Sequence, residues 1–149
     1  MAAPTVNEPT DRGRFGAAMT ILALVGLAIA SYLLAARIIG EPPACGPVQG
    51  CETVASSEYA TLFGLPVALY GVGFSIVLAT ACLLWWRRAD RRALYVAYGL
   101  GLAGLIAVAY LTYLELFVIH AICVWCAGFA VSIVLGWLTA VWAAKRTSA

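Results

Sequence analysis

The residues able to do chemistry in this chain are its cysteines. There are five, and four of them fall into two pairs. Cys123 and Cys126 make a C-x-x-C; Cys45 and Cys51 make a C-x5-C. Two thiols three residues apart close into a disulfide or open into a dithiol. At the start of a helix, positions i and i+3 share a face. The free N–H groups and positive dipole end there favour a thiolate. A low-pKa thiolate is also a good leaving group in disulfide exchange. The Cys45/Cys51 pair has Gly46, Pro47 and Gly50 between its members, which make a return of the chain feasible. A loop carrying such a pair can collect electrons from a soluble protein and hand them to the C-x-x-C through a mixed disulfide. A purely structural loop disulfide is the alternative. For the C-x-x-C the usual rival is a zinc site, but a zinc ribbon shows two such knuckles and only one is present, so no metal is expected. Cys82 is the odd thiol, and its expected role is apolar packing.

These pairs need elements to hold them, and the composition says which. The 149 residues are 64% hydrophobic and 11% charged, whereas a soluble domain carries about 25% charged residues. A spanning helix needs roughly 20 apolar residues, so the expected fold is an all-α integral membrane bundle of four transmembrane helices. Their expected ranges are 15–39, 62–86, 93–117 and 122–144 within one domain, 15–144. Polar tails occupy 1–14 and 145–149. An outer loop, 40–60, carries the first cysteine pair, and its second half is expected to form a short interfacial helix. The first apolar run, 15–36, exceeds a secretory signal core of roughly 7–15 residues and reads as a retained helix. Gly40 with Pro42-Pro43 ends it. Gly99, Gly101 and Gly104 in the third span let helices approach closely. The C-x-x-C opens the fourth span, with Cys126 one turn deeper than Cys123.

Charge sets the orientation. Arg12, Arg14, the arginines at 87–92 and Lys145-Arg146 fall on one side of a four-span topology. The positive-inside rule makes that side cytoplasmic. Both termini are then inside, and both cysteine pairs are outside, where disulfides persist. Arg37 is the one basic residue at the outer end. Trp85, Trp86 and Trp142 fall near the inner interface and Trp125 near the outer one. A net charge of +2 gives no reason to expect nucleic acid. His120 and Glu115 lie close to the C-x-x-C in sequence. An acid within a span is a functional candidate by default, and a pairing of Glu115 with Arg37 is conceivable. There is no haem-attachment motif and no dinucleotide-binding fingerprint. A lipophilic quinone, ubiquinone or menaquinone, is the two-electron acceptor that the location suggests.

With these residues in order, the sequence resembles the vitamin K epoxide reductase family in its compact four-helix form. The matching residues are Cys45, Cys51-x-x-Val54-x-Ser56-Ser57, Leu62-Phe63-Gly64-x-Pro66, the Tyr110–Tyr113 region and Cys123-x-x-Cys126. The resemblance implies that Cys123/Cys126 are the quinone-side pair and Cys45/Cys51 the shuttle pair. It implies that Ser57 lies close to the redox centre and that Phe63 helps wall the quinone site. Cys126, one turn deeper into the span than Cys123, is the thiol expected to face the quinone. Bacterial members oxidise a thioredoxin-fold partner that makes disulfides in secreted proteins. Many carry that domain fused; this chain ends at Ala149, so a separate thioredoxin-fold (DsbA-like) thiol oxidase on the outer side of the bacterial inner membrane is expected. Animal members place an Asn and a Tyr, which bind the vitamin K carbonyls, where this chain has Ala60 and Ala130. Plain quinone reduction is therefore favoured over epoxide reduction. The other readings are a vitamin K (epoxide) reductase using partner thiols, and a non-catalytic membrane protein with structural disulfides. A second four-span family of disulfide generators keeps its C-x-x-C in the first outer loop; here that loop holds C-x5-C.

Overall fold

The computed structural model describes residues 8–41, 43–44 and 50–148. Cys45, Gly46, Pro47 and Pro42 therefore lie outside the described residues, and Cys51 is described by its backbone. Five α-helices run in the order α1 (Glu8–Ile39), α2 (Gly50–Ser56), α3 (Val67–Arg88), α4 (Arg91–Tyr113) and α5 (Val124–Ser148). A 3-10 turn, Glu58–Ala60, follows α2; a two-stranded hairpin, β1 (Thr61–Leu62) with β2 (Leu65–Pro66), precedes α3; a π-helical turn, Leu114–Ile119, extends α4. Four stretches are long and apolar enough to cross a membrane: Asp11–Ile39, Val67–Arg88, Arg91–Ile119 and Val124–Arg146. They close into a four-helix bundle in which α1 packs on α3 and α5, and α4 on the same two helices.

The bundle's two sides have different chemistry. Inside, small residues meet at close range: Ala23, Ala81, Ala97, Ala140 and Ala143 are buried with Leu94 and Trp85. Outside, large apolar residues such as Ile21, Ile76, Ile106 and Val131 are exposed. A helix apolar all round, with its bulk facing out, fits a lipid surround, where close packing rather than water exclusion holds helices together. Gly101 and Gly104 are part of that packing. A Cβ on Gly101 would lie 2.9 Å from Trp137 Cδ1, and one on Gly104 2.8 Å from Phe74 Cζ. Gly99 does not share this role, since nothing lies within 4 Å of its Cβ position.

Helix ends follow local chemistry. Gly40 adopts φ +84 after α1, and the Gly40 and Glu41 N–H groups both bond to the Ala36 carbonyl, at 3.0 and 3.1 Å. That left-handed cap stops the helix where Gly40 predicts it. Between α3 and α4, Ala89 is left-handed with its N–H on Trp85 O at 2.9 Å, and Asp90 caps α4 by accepting from Arg92 N at 3.0 Å. One end of the bundle gathers the basic residues: Arg146 pairs with Asp11 at 3.3 Å and lies over the Phe15 ring.

Several boundaries differ from expectation, and α5 runs on to Ser148 through the polar tail expected over 145–149. α1 starts at Glu8, so the second half of the polar tail expected over 1–14 belongs to the helix. α3 starts at Val67, not Leu62. Phe63 and Gly64 both have positive φ, 53 and 80, which is the two-residue hairpin turn with matching strand twist. Tyr70 Oη donates to Leu62 O at 3.1 Å and holds that hairpin against α3. The third span leaves regular α-helix after Tyr113, four residues early. α5 starts at Val124, which puts Cys123 at the capping position rather than inside the helix. Trp85, expected at an interface, is 2% exposed in the core.

Close approach at α4 has a measurable consequence. Gly101→Ala should cost about 1–3 kcal/mol through overpacking against Trp137. Gly99→Ala should hold or gain stability from helix propensity. Thermal midpoints in detergent check this; equal shifts for both would contradict the packing described.

Candidate active site

The site begins with the way α4 ends. Its last turn widens to i→i+5 bonding over Leu114–Ile119, and His120 closes it in the left-handed region at φ 56, its N–H on Glu115 O. Ala121 N also donates to Glu115 O, at 3.0 Å. A π-turn of this kind shifts one side chain relative to the regular helix and is frequent at functional sites. Here the shifted residue is Glu115, 7% exposed, with its side chain turned to the start of α5. Glu115 Oε2 accepts from Cys123 N at 3.4 Å, and the carboxyl group also hydrogen-bonds the Cys126 side chain. His120 itself is exposed.

Cys123 caps α5. Its carbonyl accepts the first helical bond, from Ala127 N at 3.0 Å, and its Sγ accepts from Cys126 N at 3.4 Å. Sulfur thus fills the place that a Ser or Asp oxygen fills at most helix starts. Both C-x-x-C thiols are free here; Cys123 is buried and Cys126 partly buried. The Cys123 thiol is pulled down from 9.0 to about 7, first by the hydrogen bond from the Cys126 side chain, against the opposing effect of burial, with the Cys126 N–H adding to the fall.

The outer loop is fastened to this turn on both sides of its cysteines. Trp125, between the two C-x-x-C thiols, packs against Tyr32 of α1 with centroids 4.7 Å apart and the rings tilted by 45°, and its Nε1 donates to Ala44 O at 2.8 Å. Ala44 N donates back to Tyr32 Oη at 2.9 Å. Ala44 is the residue before Cys45. On the other side, Gly50 lies flat on Ile122: an added Cβ would overlap the Ile122 carbonyl oxygen and sit 2.8 Å from Ile122 N. Gly50 precedes Cys51, and Ile122 precedes Cys123. Each loop cysteine is thus one residue from a group held on the C-x-x-C turn.

Below the turn lies a cavity of about 750 Å³ lined by both C-x-x-C cysteines, Glu115 and Ser57, within the usual size for small-molecule sites. Its walls are mostly apolar, with the rings of Phe74 of α3 and Phe129 of α5 joined by Tyr59 and Tyr70, and Arg37 and Glu41 also line it. Ser57 Oγ donates to Val54 O at 2.7 Å, so toward a bound molecule it offers an acceptor. Ala60 and Ala130 line the same space and present methyl groups.

Of the residues singled out in the sequence, Cys123, Cys126 and Ser57 come together here, with Cys51 nearby through its backbone. Phe63 does not: it sits at the hairpin tip, 92% exposed and away from the lining. Cys82 is buried in α3 among core residues. Sequence reasoning missed Phe129, though it lies three residues past Cys126 on the same helical face. It also missed Tyr32 and Gly50, which carry no motif. Among the described residues, no three His, Cys, Asp or Glu side chains gather as a metal site.

A family model matches residues 17–141, and it is that of the vitamin K epoxide reductase family. The chain belongs to this family. It is accordingly an integral membrane oxidoreductase, and the matched region holds the second and third spans whole, most of the first and fourth, the cysteine loop and the C-x-x-C turn.

In the reduced protein, the rate of Cys123 alkylation should rise with pH through a midpoint of about 7. Cys126→Ala removes the main hydrogen bond to the thiolate, so the midpoint should move up toward 9.0. Alkylation rates from pH 5 to 10, read by mass spectrometry, check this; an unchanged midpoint would contradict the cause given.

Proposed function

We propose that this protein is a membrane thiol:quinone oxidoreductase. In this reading it reoxidises a separate thioredoxin-fold, DsbA-like partner and passes the electrons to a quinone, ubiquinone or menaquinone, in support of disulfide formation in exported proteins. The observation that carries the reading is the C-x-x-C turn: it has the flanks of the loop pair fastened on one side and an apolar cavity of quinone size on the other.

The sequence of events follows from which sulfur meets what. Reduced partner attacks a Cys45–Cys51 disulfide and leaves it as a dithiol, itself becoming oxidised. One loop thiolate then attacks Cys123–Cys126; a mixed disulfide forms, and the second loop thiol resolves it, regenerating the loop disulfide. The helix pair now holds two electrons as a dithiol. The quinone, when bound, is a two-electron, two-proton acceptor. Cys126 faces the cavity one turn into α5 and is the thiol assigned to it. Phe74 and Phe129 supply flat apolar walls, and Ser57 lies on the same lining. Methyl groups at Ala60 and Ala130 offer no hydrogen bonds to ring carbonyls, which favours plain quinone reduction over epoxide chemistry. By the positive-inside rule, the arginine-rich end faces the cytoplasm of a bacterial inner membrane, with both termini inside and the cysteine loop outside.

The test is turnover in lipid nanodiscs with a reduced thioredoxin-fold oxidase and either quinone. Wild type should oxidise the partner and form quinol. Cys126→Ser should abolish quinol formation, and undiminished turnover would sink the assignment. Gly50→Ala probes the fastening separately. Its methyl group cannot fit against Ile122, so transfer from loop to helix pair should slow on the order of 10²-fold, the scale set by misplacing reacting groups by about 1 Å. A small thiol should still reduce Cys123–Cys126 in that variant at the wild-type rate. Loop-to-helix transfer at full speed would show that the Gly50–Ile122 contact does not position the loop.

A further inference from the structure

Breaking the Cys123–Cys126 disulfide leaves a negative sulfur against an apolar cavity wall. Burial of a thiolate without a partner is unfavourable, so a proton has to be supplied nearby. We infer that Glu115 is the resident proton carrier of the C-x-x-C, giving a proton to Cys126 when the disulfide is opened and taking it back when the disulfide closes.

The geometry singles out this carboxyl group. Thr20, Ser75, Glu115 and Ser132 are the buried polar residues among those described, and Glu115 is the one acid in that set. It reaches the Cys123 N–H and the Cys126 side chain together. Its backbone is fixed by the π-turn, with two N–H groups on its carbonyl oxygen. The other titratable or charged groups on the cavity lining are Arg37 of α1, Glu41 after it, Tyr59 beside α2, Tyr70 of α3, and the two cysteines of the α5 turn. Tyr70 Oη gives its proton to Leu62 O and Ser57 Oγ gives its proton to Val54 O. A guanidinium does not give up its proton in a protein. Tyr59 and Glu41 are exposed, as is His120. Glu115 alone among these groups is both buried and in contact with the reacting pair.

The step balances within the exchange itself. An incoming thiolate bonds to Cys123 Sγ, the Cys123–Cys126 bond breaks, and its electron pair leaves on Cys126 Sγ. Glu115, as the neutral acid, passes its proton to that sulfur and becomes a carboxylate. The incoming thiol is oxidised to a mixed disulfide and Cys126 is reduced to a thiol. In the reverse direction Cys126 S–H returns the proton to the carboxylate as its sulfur attacks the mixed disulfide. Glu115 is thereby reset; when the dithiol instead gives both protons to a quinone, the carboxylate regains a proton from the next incoming thiol as that thiol ionises to attack.

This inference rests on Cys123/Cys126 being the redox pair, yet its test needs neither quinone nor protein partner. The measurement is reduction of the Cys123–Cys126 disulfide by dithiothreitol in a Cys45→Ser/Cys51→Ser background in nanodiscs, with the rate normalised to dithiothreitol thiolate. For wild-type Glu115 the normalised rate should fall as pH rises and the acid form is lost. Glu115→Gln keeps the shape and the acceptor oxygen but carries no transferable proton. It should lower the rate on the order of 10²-fold, the usual scale of a positioned acid, and flatten the pH profile. Glu115→Asp should recover part of the rate together with the sloping profile. A Gln variant with the wild-type rate and slope would overturn the proposal. Should the Gln variant fail to assemble, the Glu115 protein decides alone: slower reduction in deuterated water supports the proton carrier, and equal rates overturn it. A pair that cannot be cycled between dithiol and disulfide at all would overturn the redox reading as well, and so separates the two failures.

Discussion

The first turn of α5 leaves backbone N–H groups that no earlier carbonyl of the helix can accept. In this protein they are answered by the C-x-x-C and the acid beside it. Cys123 Sγ takes the Cys126 N–H, and Glu115 Oε2 takes the Cys123 N–H. The Cys126 side chain and the Cys126 N–H that the sulfur accepts draw the Cys123 thiol toward its anion. The rest of the structure depends on that turn. The π-turn exists next to it to deliver Glu115, Trp125 projects from it to hold Ala44, and the Ile122 backbone gives Gly50 a surface to lie on.

The turn also sits at a boundary between two environments. Toward the loop it meets polar backbone and the flanks of Cys45 and Cys51. Toward the bundle it meets a large apolar cavity. A pair so placed can exchange with a thiol from one side and with a hydrophobic acceptor from the other, without moving a helix. In the reading proposed here, specificity at the loop side comes from backbone fit, since Gly50 and Ala44 act through main-chain atoms. Specificity at the cavity side comes from shape, with Phe74 and Phe129 as walls and alanines where a polar anchor would grip a ring carbonyl.

Much of this was legible in the sequence, for physical reasons that differ from element to element. Four spans were visible because a membrane imposes length and apolarity on every helix, and Gly40 marked the end of α1 because it alone there adopts a left-handed cap without strain. The start of α3 was misplaced because Leu62 to Pro66 is as apolar as the helix it precedes; only Phe63-Gly64 as a two-residue turn distinguished it. That turn also carries Phe63 out to the hairpin tip, where a family pattern had suggested a cavity wall. The roles of Gly50 and Tyr32 were invisible because each depends on a neighbour distant in sequence. Glu115 stood out as an acid in a span, with Arg37 the suggested partner, but the groups its carboxyl meets are the Cys123 N–H and the Cys126 side chain. The π-turn directs its carboxyl to the cysteine pair, and nothing in the local composition announces a π-turn.

The central claim is that Cys123 and Cys126 suffice to reduce a quinone once they hold two electrons. A single-turnover measurement tests it most directly. Protein carrying Cys45→Ser and Cys51→Ser is reduced, freed of reductant and mixed anaerobically with excess quinone in nanodiscs. The account predicts one quinol formed per protein and the loss of the two Cys123/Cys126 thiols to alkylation, with Cys82 unchanged. Quinone left oxidised while both thiols remain free would contradict it.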